Sequence, residues 1–195
     1  MLISLILFKD NYVPFSMIKT ELRSYFLEKR NLLSLLEKRK HDFFLSGLLM
    51  DYIKIHGFST IHTYLPIGSE VDFYPVIQQL LEMNIKIVCP QTENKPVFKN
   101  LILTSLDSLE QGRYGTRHPA NAEEYNGDFD LVIVPGLAYN AEKYRLGYGG
   151  GYYDYFLEKH PLAVKLGLFY PFQFASDLPL EAHDVPLDIV LTPKS

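Results

Sequence analysis

A glycine-rich segment between a strand-like run and a helix-like stretch constrains the fold of this chain most strongly. Residues 145–154 read RLGYGGGYYD, and four of these ten residues are glycines, although the whole chain has only 12. The apolar run Leu131–Val134 precedes this glycine-rich segment, and the helix-like stretch Tyr152–Lys159 completes it. Glycine reaches positive φ easily and has no Cβ, so backbone N–H groups can converge on an anion in front of a helix N-terminus. The order predicts a phosphate-binding loop.

The glycine-rich segment differs from the common nucleotide-binding loops. It lacks the Gly-Lys-Ser/Thr ending of a P-loop, and Tyr152 stands where a dinucleotide-binding G-x-G-x-x-G motif has its last glycine. A purely structural turn before a helix is therefore an alternative interpretation. Arg145 places a cation at the front of the segment and Asp154 places a carboxylate behind it. These flanking charges favour the phosphate-binding interpretation.

Composition limits the classes of protein to which the chain can belong. With 195 residues, 47% of them hydrophobic, the chain suits one soluble domain with a single core. The formal net charge of −4 argues against a broad nucleic-acid-binding surface. The one cysteine, Cys89, follows a strand-like run and is predicted to be buried. A lone cysteine fits a reducing compartment, and we expect a cytoplasmic location.

The first sixteen residues are interpreted as an N-terminal extension ahead of a single domain over residues 17–195. Residues 1–8 are apolar but far too short to span a bilayer, and no basic residue precedes them as in a secretory signal. We therefore expect no membrane partner. Met17 is followed at once by a charged, helix-like segment, so it is a candidate for the natural start.

Helix and strand patterns alternate along the chain. Helical spacing predicts helices over residues 17–28, 34–55, 73–83 and 152–159. Short apolar or alternating runs predict strands over residues 60–65, 85–89, 97–103, 131–134, 164–169 and 189–191. Ser34 and Glu37 form a capping box, Asp72 is the predicted N-cap of the third helix, and Pro90 is predicted to end the second strand. Residues 111–127 are predicted to form a loop, because they are rich in Gly, Asn and Pro.

This alternation predicts an α/β fold. We expect a single-domain three-layer α/β/α arrangement with a Rossmann-like, mostly parallel sheet and helices on both faces. Residues 97–103 are the exception, since only a short turn separates them from the preceding strand and antiparallel pairing is expected. Ligands in such folds bind at the carboxyl ends of the strands. Because Pro135 and Gly136 directly follow a predicted strand, the glycine-rich segment is predicted at this edge.

Two pairs of charged residues are candidates for a nucleotide site. Lys19 and Arg23 lie four apart on a predicted helix, so they repel each other unless they face solvent or share an anion. Asp154 and Asp184 could bind one Mg²⁺, which typically uses one or two carboxylates together with phosphates and waters. A hydrated acidic loop over residues 181–188 is the alternative. Zinc-type ligand spacing and a nucleophile elbow are both missing from the sequence.

Five stretches together resemble the 5-formyltetrahydrofolate cyclo-ligase family, also called methenyltetrahydrofolate synthetases. They are residues 19–23 (KTELR), 65–70, 134–139 (VPGLAY), 145–154 and 183–188, in the order of the family. The resemblance implies an enzyme that uses ATP and Mg²⁺ to cyclise 5-formyltetrahydrofolate to 5,10-methenyltetrahydrofolate, with release of ADP and phosphate. It also implies small-molecule substrates as partners, and we expect a monomer that binds neither nucleic acid nor membrane.

The resemblance also assigns roles to individual residues. Lys19 and Arg145 would act in catalysis by holding the phosphates, and Asp154 and Asp184 would bind Mg²⁺. The ATP-binding residues would be Lys19, Thr20, Glu21, Leu22, Arg23, Arg145, Leu146, Gly147, Tyr148, Gly149, Gly150, Gly151, Tyr152 and Tyr153. The folate-binding residues would be Leu65, Glu70, Tyr148, Gly149, Gly150, Gly151 and Tyr152, with Glu70 accepting hydrogen bonds from the pterin.

The chain departs from the family pattern at a few positions, and two rival functions stay open. Asn140 stands where the family often has Asp, Lys143 stands where Gly is common, and residues 116–119 with His118 match a Gly-Ile-x-Glu-Pro stretch only loosely. One rival is a non-catalytic nucleotide- or folate-binding module that keeps the fold. The other is a sugar-phosphate isomerase or CoA-transferase-like enzyme. The presence of both the Lys19/Arg23 and the Asp154/Asp184 pairs speaks against the first rival, because a retired site would be free to lose them, and the second rival would leave both pairs without a task.

Overall fold

The structure, a computed structural model, describes residues 17–94 and 96–193. The helices within these residues are α1 (Lys19–Asn31), α2 (Leu35–His56), α3 (Tyr74–Glu82) and α4 (Tyr152–Lys159). Local chemistry sets the boundaries of α2. The Ser34 hydroxyl accepts a hydrogen bond from the Glu37 amide at 3.2 Å, and Gly57 ends the helix with a φ of 66°. The predicted capping box is confirmed.

The strands of the described residues form one large sheet and two small hairpins. In chain order they are β1 (Thr60–Thr63), β2 (Lys86–Thr92), β3 (Phe98–Leu103), β4 (Leu109–Gln111), β5 (Arg117–Pro119), β6 (Leu131–Val134), β7 (Ala138–Tyr139), β8 (Arg145–Leu146), β9 (Val164–Leu168) and β10 (Ile189–Leu191). The large sheet has the order β10-β9-β6-β1-β2-β3. Its neighbouring strands are parallel except for β2 and β3. The predicted mostly parallel sheet is confirmed.

Helices cover both faces of this sheet. Ile61, Ile87 and Leu131 pack on one face in the same core as α2 and α3. Val88 and Val132 pack on the other face in the same core as α4. Successive strand residues point to opposite faces, so a sheet covered on both sides needs continuous apolar runs such as Leu131–Val134. The three-layer arrangement predicted from those runs is therefore confirmed.

Two element boundaries differ from the predictions for identifiable reasons. The N-cap of α3 is Phe73 rather than Asp72, although the Asp72 carboxylate still accepts a hydrogen bond from the Tyr74 amide at 3.1 Å. Strand β2 does not end at Pro90 but continues to Thr92. Beyond Val88 it pairs only with β3 on one side, and Pro90 lies there opposite Asn100. Proline is tolerated where a strand is an edge.

The segment predicted as a loop over residues 111–127 contains regular structure. Strands β4 and β5 pair antiparallel, with Glu110 opposite His118, and a short 3-10 turn (Arg113–Gly115) joins them. Tyr114 and Gly115 in this turn both have positive φ, which closes the hairpin tightly. This hairpin places Tyr114, Thr116 and Arg117 on the wall of the cavity described below.

The expected extension over residues 1–16 lies outside the described residues, so that boundary stays a prediction. Within the described residues, no helix combines the length and apolar character that a bilayer crossing requires.

Candidate functional site

A cavity of about 1530 Å³ opens at the carboxyl ends of the parallel strands. Tyr64 and Leu65 follow β1, Thr92 ends β2, and Pro135 follows β6, and all four line it. This is the edge predicted for the site. Among the described residues, every predicted site residue lines the cavity except Glu21. The Glu21 carboxylate instead accepts a hydrogen bond from the Ile18 amide at 3.1 Å at the start of α1.

Arg145 is held rigidly beside the glycine-rich segment. It begins β8, where it pairs with Tyr139 of β7. Its Nη1 donates to the carbonyl of Val185 at 2.8 Å, and its Nη2 donates to Asp154 Oδ1 at 3.0 Å. Burial lowers the pKa of the guanidinium, while the Asp154 carboxylate raises it. A nearly immobile cation therefore lies at the base of the predicted phosphate loop.

The glycine-rich segment connects α1, β8 and α4. Arg23 Nε donates to the carbonyl of Gly147 at 2.9 Å, so α1 is attached to the first glycine. Gly149 has a φ of 96°, and a Cβ placed there would lie 3.1 Å from the Arg23 guanidinium carbon. Gly151, with a φ of 67°, is the N-cap of α4. Glycine is required at these two positions because the backbone adopts positive φ, and at Gly149 because the arginine approaches closely.

Lys19 is paired with carboxylates rather than repelled by Arg23. Its Nζ lies 2.8 Å from Asp184 Oδ2 and 3.1 Å from Glu181 Oε1. Burial lowers the pKa of Lys19, but the hydrogen bonds and charges of Asp184 and Glu181 outweigh burial and raise it. Burial raises the pKa of Asp184, but hydrogen bonds from Lys19 and the Glu181 amide outweigh it and lower that pKa. Both groups are therefore charged at neutral pH.

The two predicted magnesium ligands lie on neighbouring parts of the cavity wall. The amide of Val185, next to Asp184, donates to Asp154 Oδ1 at 3.2 Å. The side-chain hydrogen bonds of Asp154 use Oδ1 and those of Asp184 use Oδ2, so each carboxylate keeps one oxygen unbonded within the described residues. Those residues contain no cluster of three or more possible metal ligands. Two carboxylates with free oxygens fit Mg²⁺, which completes its shell with phosphates and waters.

Glu70 and Tyr148 form a hydrogen-bonded pair in the wall of the cavity. Tyr148 Oη donates to Glu70 Oε1 at 2.6 Å, and the Ile67 amide donates to Glu70 Oε2 at 2.9 Å. Glu70 is only 8% exposed, and burial raises its pKa, although these hydrogen bonds oppose the shift. Since Tyr148 belongs to the glycine-rich segment, the predicted folate-binding carboxylate is joined directly to the predicted phosphate loop.

Arg30 belongs to the same wall and was missed in the sequence. It is a buried residue in the last turn of α1, and its Nη2 donates to Tyr148 Oη at 2.8 Å. The signal that could have found it is the spacing from Arg23, because residues seven apart share a helix face. Its partner lies 118 residues away in the sequence, so only the fold brings the two together.

The tyrosines of the glycine-rich segment have different environments. The Tyr152 ring stacks on Phe98 with centroids 5.5 Å apart, and its hydroxyl donates to the Glu93 carbonyl at 2.7 Å. Tyr153 packs edge-on against Phe98 and Phe156. Burial raises the pKa of Tyr153, and its hydroxyl has no hydrogen-bond partner among the described residues. Tyr153 therefore anchors α4, whereas Tyr152 ties the segment to the turn after β2.

The fold and sequence both match a known family. A profile of the 5-formyltetrahydrofolate cyclo-ligase family matches residues 16–193. The chain belongs to this family. A 5-formyltetrahydrofolate cyclo-ligase of Mycolicibacterium smegmatis is 29% identical over 90% of this chain and 94% of its own. One from Mycoplasma pneumoniae is 30% identical over 90% of this chain and 98% of its own. The NMR structure of Aquifex aeolicus 5,10-methenyltetrahydrofolate synthetase superimposes with a TM-score of 0.79 at 33% identity, covering 90% of each chain.

Membership of the cyclo-ligase family confirms the resemblance and the prediction of an enzyme, a ligase of folate one-carbon metabolism. It also gives no support to the isomerase or CoA-transferase interpretation. A second solved relative, the Mycoplasma pneumoniae 5,10-methenyltetrahydrofolate synthetase, has a TM-score of 0.73 at 27% identity and covers 89% of this chain and 98% of its own. The shared α/β fold therefore spans nearly the whole described chain.

The departures from the cyclo-ligase pattern are accommodated locally. Asn140 Oδ1 accepts a hydrogen bond from the Tyr144 amide at 2.8 Å, which closes the turn between β7 and β8. Lys143 adopts a φ of 65°, the conformation for which glycine is favoured, and its Nζ donates to the Asp188 carbonyl at 2.7 Å. His118 is buried, with its ring 3.2 Å from the Gln91 side-chain nitrogen. The turn that presents Arg145 is therefore intact.

Proposed function

We propose that this chain catalyses the ATP- and Mg²⁺-dependent cyclisation of 5-formyltetrahydrofolate to 5,10-methenyltetrahydrofolate, with release of ADP and phosphate. One observation carries the proposal. The cations Lys19, Arg23 and Arg145 and the hydrogen-bonded Glu70–Tyr148 pair all line one and the same cavity. A cyclo-ligase needs this adjacency, because the γ-phosphate of ATP must reach the formyl oxygen of the folate.

The reaction activates a poor electrophile by phosphorylation. The formyl oxygen attacks the γ-phosphorus, so that an O–P bond forms and the bond to ADP breaks. The N10 lone pair then attacks the formyl carbon, the C–O bond breaks with phosphate as the leaving group, and N10 loses its proton. The products are the 5,10-methenyl cation, ADP and phosphate. The protein contributes positioning and charge stabilisation, which dominate catalysis of phosphoryl transfer.

Fixed cations supply the charge stabilisation. Arg145 is immobilised by Val185 and Asp154, so it needs no reorganisation to stabilise a phosphate. Lys19 lies on the same cavity wall and is fully protonated at neutral pH because its pKa is raised. Glycine-rich backbone between residues 147 and 151 and the start of α4 offers amides to the same anion. Mg²⁺ held by Asp154 and Asp184 would neutralise further phosphate charge.

The folate would lie against Glu70, Leu65 and the tyrosines. The Glu70 carboxylate offers acceptor oxygens to the N–H groups of the pterin, and the buried Leu65 offers an apolar surface. We also propose that the enzyme acts as a cytoplasmic monomer on small-molecule substrates, without nucleic-acid or membrane partners. The net charge of −4 supports the exclusion of nucleic acid. Light scattering coupled to size exclusion measures the oligomeric state.

The absorbance of 5,10-methenyltetrahydrofolate tests the proposal. Purified protein mixed with 5-formyltetrahydrofolate, Mg²⁺ and ATP should produce the methenyl chromophore, and omission of ATP or Mg²⁺ should abolish it. Folded protein that binds both substrates without ATP-dependent product would support the non-catalytic binding module instead. The variant Asp154→Asn should fold and lose Mg-ATP turnover. Its amide oxygen can still accept from Arg145 Nη2, whereas Asp154→Ala would strand a buried guanidinium.

A further inference from the structure

Arg30 joins three segments that surround the cavity. Its guanidinium leaves the last turn of α1 and is buried, with a residue exposure of 5%. Nη2 donates to Tyr148 Oη at 2.8 Å in the glycine-rich segment, and Nε donates to Ser69 Oγ at 3.1 Å in the loop after β1. Ser69 in turn donates to Asn31 Oδ1 at 2.6 Å, which returns the connection to α1. One side chain therefore ties α1 to both the glycine-rich segment and the loop after β1.

The hydrogen bonds of this cluster have a fixed direction. Arginine can only donate, so the Tyr148 oxygen must accept from Arg30 with a lone pair. The single phenolic hydrogen is then committed to Glu70 Oε1, 2.6 Å away. A donor bonded to the phenol oxygen also polarises the O–H group, which strengthens its bond to the carboxylate. Arg30 thus determines the orientation of Tyr148, and through Tyr148 the orientation of Glu70.

The charge of Arg30 acts on Glu70 as well. Burial favours the neutral form of Glu70 and raises its pKa, whereas Tyr148, the Ile67 amide, Arg30 and Lys38 all favour the carboxylate. Tyr64, after β1, and Tyr153, in α4, also face Glu70, and both are neutral phenols whose pKa is raised by burial. Arg30 and Lys38 are therefore the cations that act on this carboxylate. Of the two, only Arg30 reaches it through a hydrogen-bonded bridge.

We propose that Arg30 is a positioning residue for the folate-binding wall of this enzyme. It holds Glu70 as an oriented carboxylate acceptor through Tyr148, and it fixes residues 67–70 against the glycine-rich segment. This inference rests on the proposed function, in which Glu70 accepts hydrogen bonds from the pterin. Arg30 does not itself contact the reacting atoms. Arg23 still holds the Gly147 carbonyl and Asp154 still holds Arg145, so loss of Arg30 should weaken folate binding and leave the cations of the Mg-ATP site in place.

Equilibrium binding separates this role from a general loss of structure. In Arg30→Met, the affinity for 5-formyltetrahydrofolate at neutral pH should fall about tenfold to a hundredfold, the range for a lost hydrogen bond to a charged group. The affinity for Mg-ATP should stay within about twofold of the wild-type value, a change smaller than the loss of such a hydrogen bond causes. Arg30→Lys keeps the charge and should recover part of the loss. Arg39→Met, an identical change at an exposed position of α2, is the matched control and should bind both ligands as the wild type does.

A double-mutant cycle tests whether Arg30 acts through Tyr148. Tyr148→Phe removes the bridging hydroxyl, so adding Arg30→Met to it should weaken folate binding much less than Arg30→Met does alone. Additive losses would overturn the proposal. Equal weakening of folate and Mg-ATP binding by Arg30→Met, or unchanged binding of both in folded protein, would overturn it too.

The protonation of Glu70 can be followed without any substrate. Carbon-13 NMR of carboxyl-labelled glutamate, with Glu70→Gln used for assignment, gives the titration midpoint of this carboxyl in the free protein. In Arg30→Met the midpoint should rise, because burial favours the neutral carboxyl and the variant lacks one of the cations that favour the carboxylate. Folate affinity of this variant should correspondingly recover as the pH rises through that midpoint. An unchanged midpoint would refute the inference, whereas a wild type that neither binds nor converts 5-formyltetrahydrofolate would refute the proposed function alone.

Discussion

At Gly149, one added methyl group should both strain the backbone and displace an arginine that is predicted to bind phosphate. Gly149 has a φ of 96°, and an alanine Cβ there would lie 3.1 Å from Cζ and 3.2 Å from Nη1 of Arg23. An L-residue at positive φ costs about 1–2 kcal/mol. The Arg23 side chain would also have to withdraw by a few tenths of an ångström, which weakens its bond to the Gly147 carbonyl. Gly149→Ala should therefore affect both stability and nucleotide affinity.

Gly151 allows the two effects to be measured apart. It also has positive φ, 67°, but an alanine Cβ there would have no heavy atom of the described residues within 4 Å beyond its neighbours in the chain. Both alanine variants should lose about 1–2 kcal/mol of unfolding free energy, a decrease in Tm of about 2–8 °C for a chain of this size. Only Gly149→Ala displaces Arg23, so its affinity for Mg-ATP should be about tenfold lower than that of Gly151→Ala.

Urea unfolding and calorimetric titration of Mg-ATP measure the two quantities. Gly47→Ala is the control for the substitution itself, because Gly47 lies in α2 with open space around it. That variant should bind Mg-ATP normally and gain about 0.5–1 kcal/mol of stability, as alanine favours a helix interior. Wild-type stability in Gly149→Ala would refute the assigned backbone conformation. Equal affinities in the Gly149 and Gly151 variants would refute the role of Arg23 in phosphate binding.

Three further predictions concern the turn before the site, the Lys19–Asp184 pair and the buried thiol. In urea unfolding, Lys143→Gly should have an unfolding free energy about 1 kcal/mol higher than Lys143→Ala. Both variants lose the bond to the Asp188 carbonyl, but only glycine adopts the φ of 65° without strain. The pKa of Asp184 is lowered from its ordinary value of 3.8, so the ionised carboxylate stabilises the fold above pH 3.8. This stabilisation is lost as the pH falls through the folded-state pKa. The difference in unfolding free energy between wild type and Asp184→Asn should therefore disappear below that pKa. Burial raises the pKa of the Cys89 thiol, so mass spectrometry should show no modification by a maleimide until the protein is unfolded.

The elements that could be predicted from the sequence are those whose signals are local. The Ser34 capping box, the apolar run Leu131–Val134 and the start of α4 each depend on residues within a few positions of one another, and all three are confirmed. The continuation of β2 through Pro90 could not be predicted in this way. It depends on the end of the β1–β2 pairing at His62 and Val88, which leaves one side of β2 open from there on and is decided by the tertiary pairing of distant segments. The hairpin of β4 and β5 likewise forms by pairing that outweighs a loop-like composition.

The site shows the same division between local and distant signals. The glycine-rich segment and the helix that carries Lys19 and Arg23 could be predicted from local spacing. The segment, Lys19 and Arg23 all line one cavity. Their partners were not found, because contacts such as Lys19 with Asp184 join residues 165 positions apart. Arg30 was missed for the same reason. Its burial and its bond to Tyr148 exist only after α1 has packed against the β7–β8 hairpin.

Those distant contacts change how variants of the site must be interpreted. Lys19 and Asp184 neutralise each other, although one is predicted to bind phosphate and the other Mg²⁺. In Asp184→Asn, Lys19 keeps only the Glu181 carboxylate as a partner and should bind ATP more tightly in the presence of a chelator, by up to about fivefold, while the affinity gained on adding Mg²⁺ should shrink. Glu181→Gln is the matched control, since it also removes a carboxylate from Lys19, at 3.1 Å, without removing a predicted magnesium ligand. Glu181→Gln should bind ATP more tightly than wild type in chelator and should still gain as much ATP affinity on adding Mg²⁺ as wild type does. If Asp184→Asn also keeps the full gain in ATP affinity from Mg²⁺, Asp184 is excluded from the metal site.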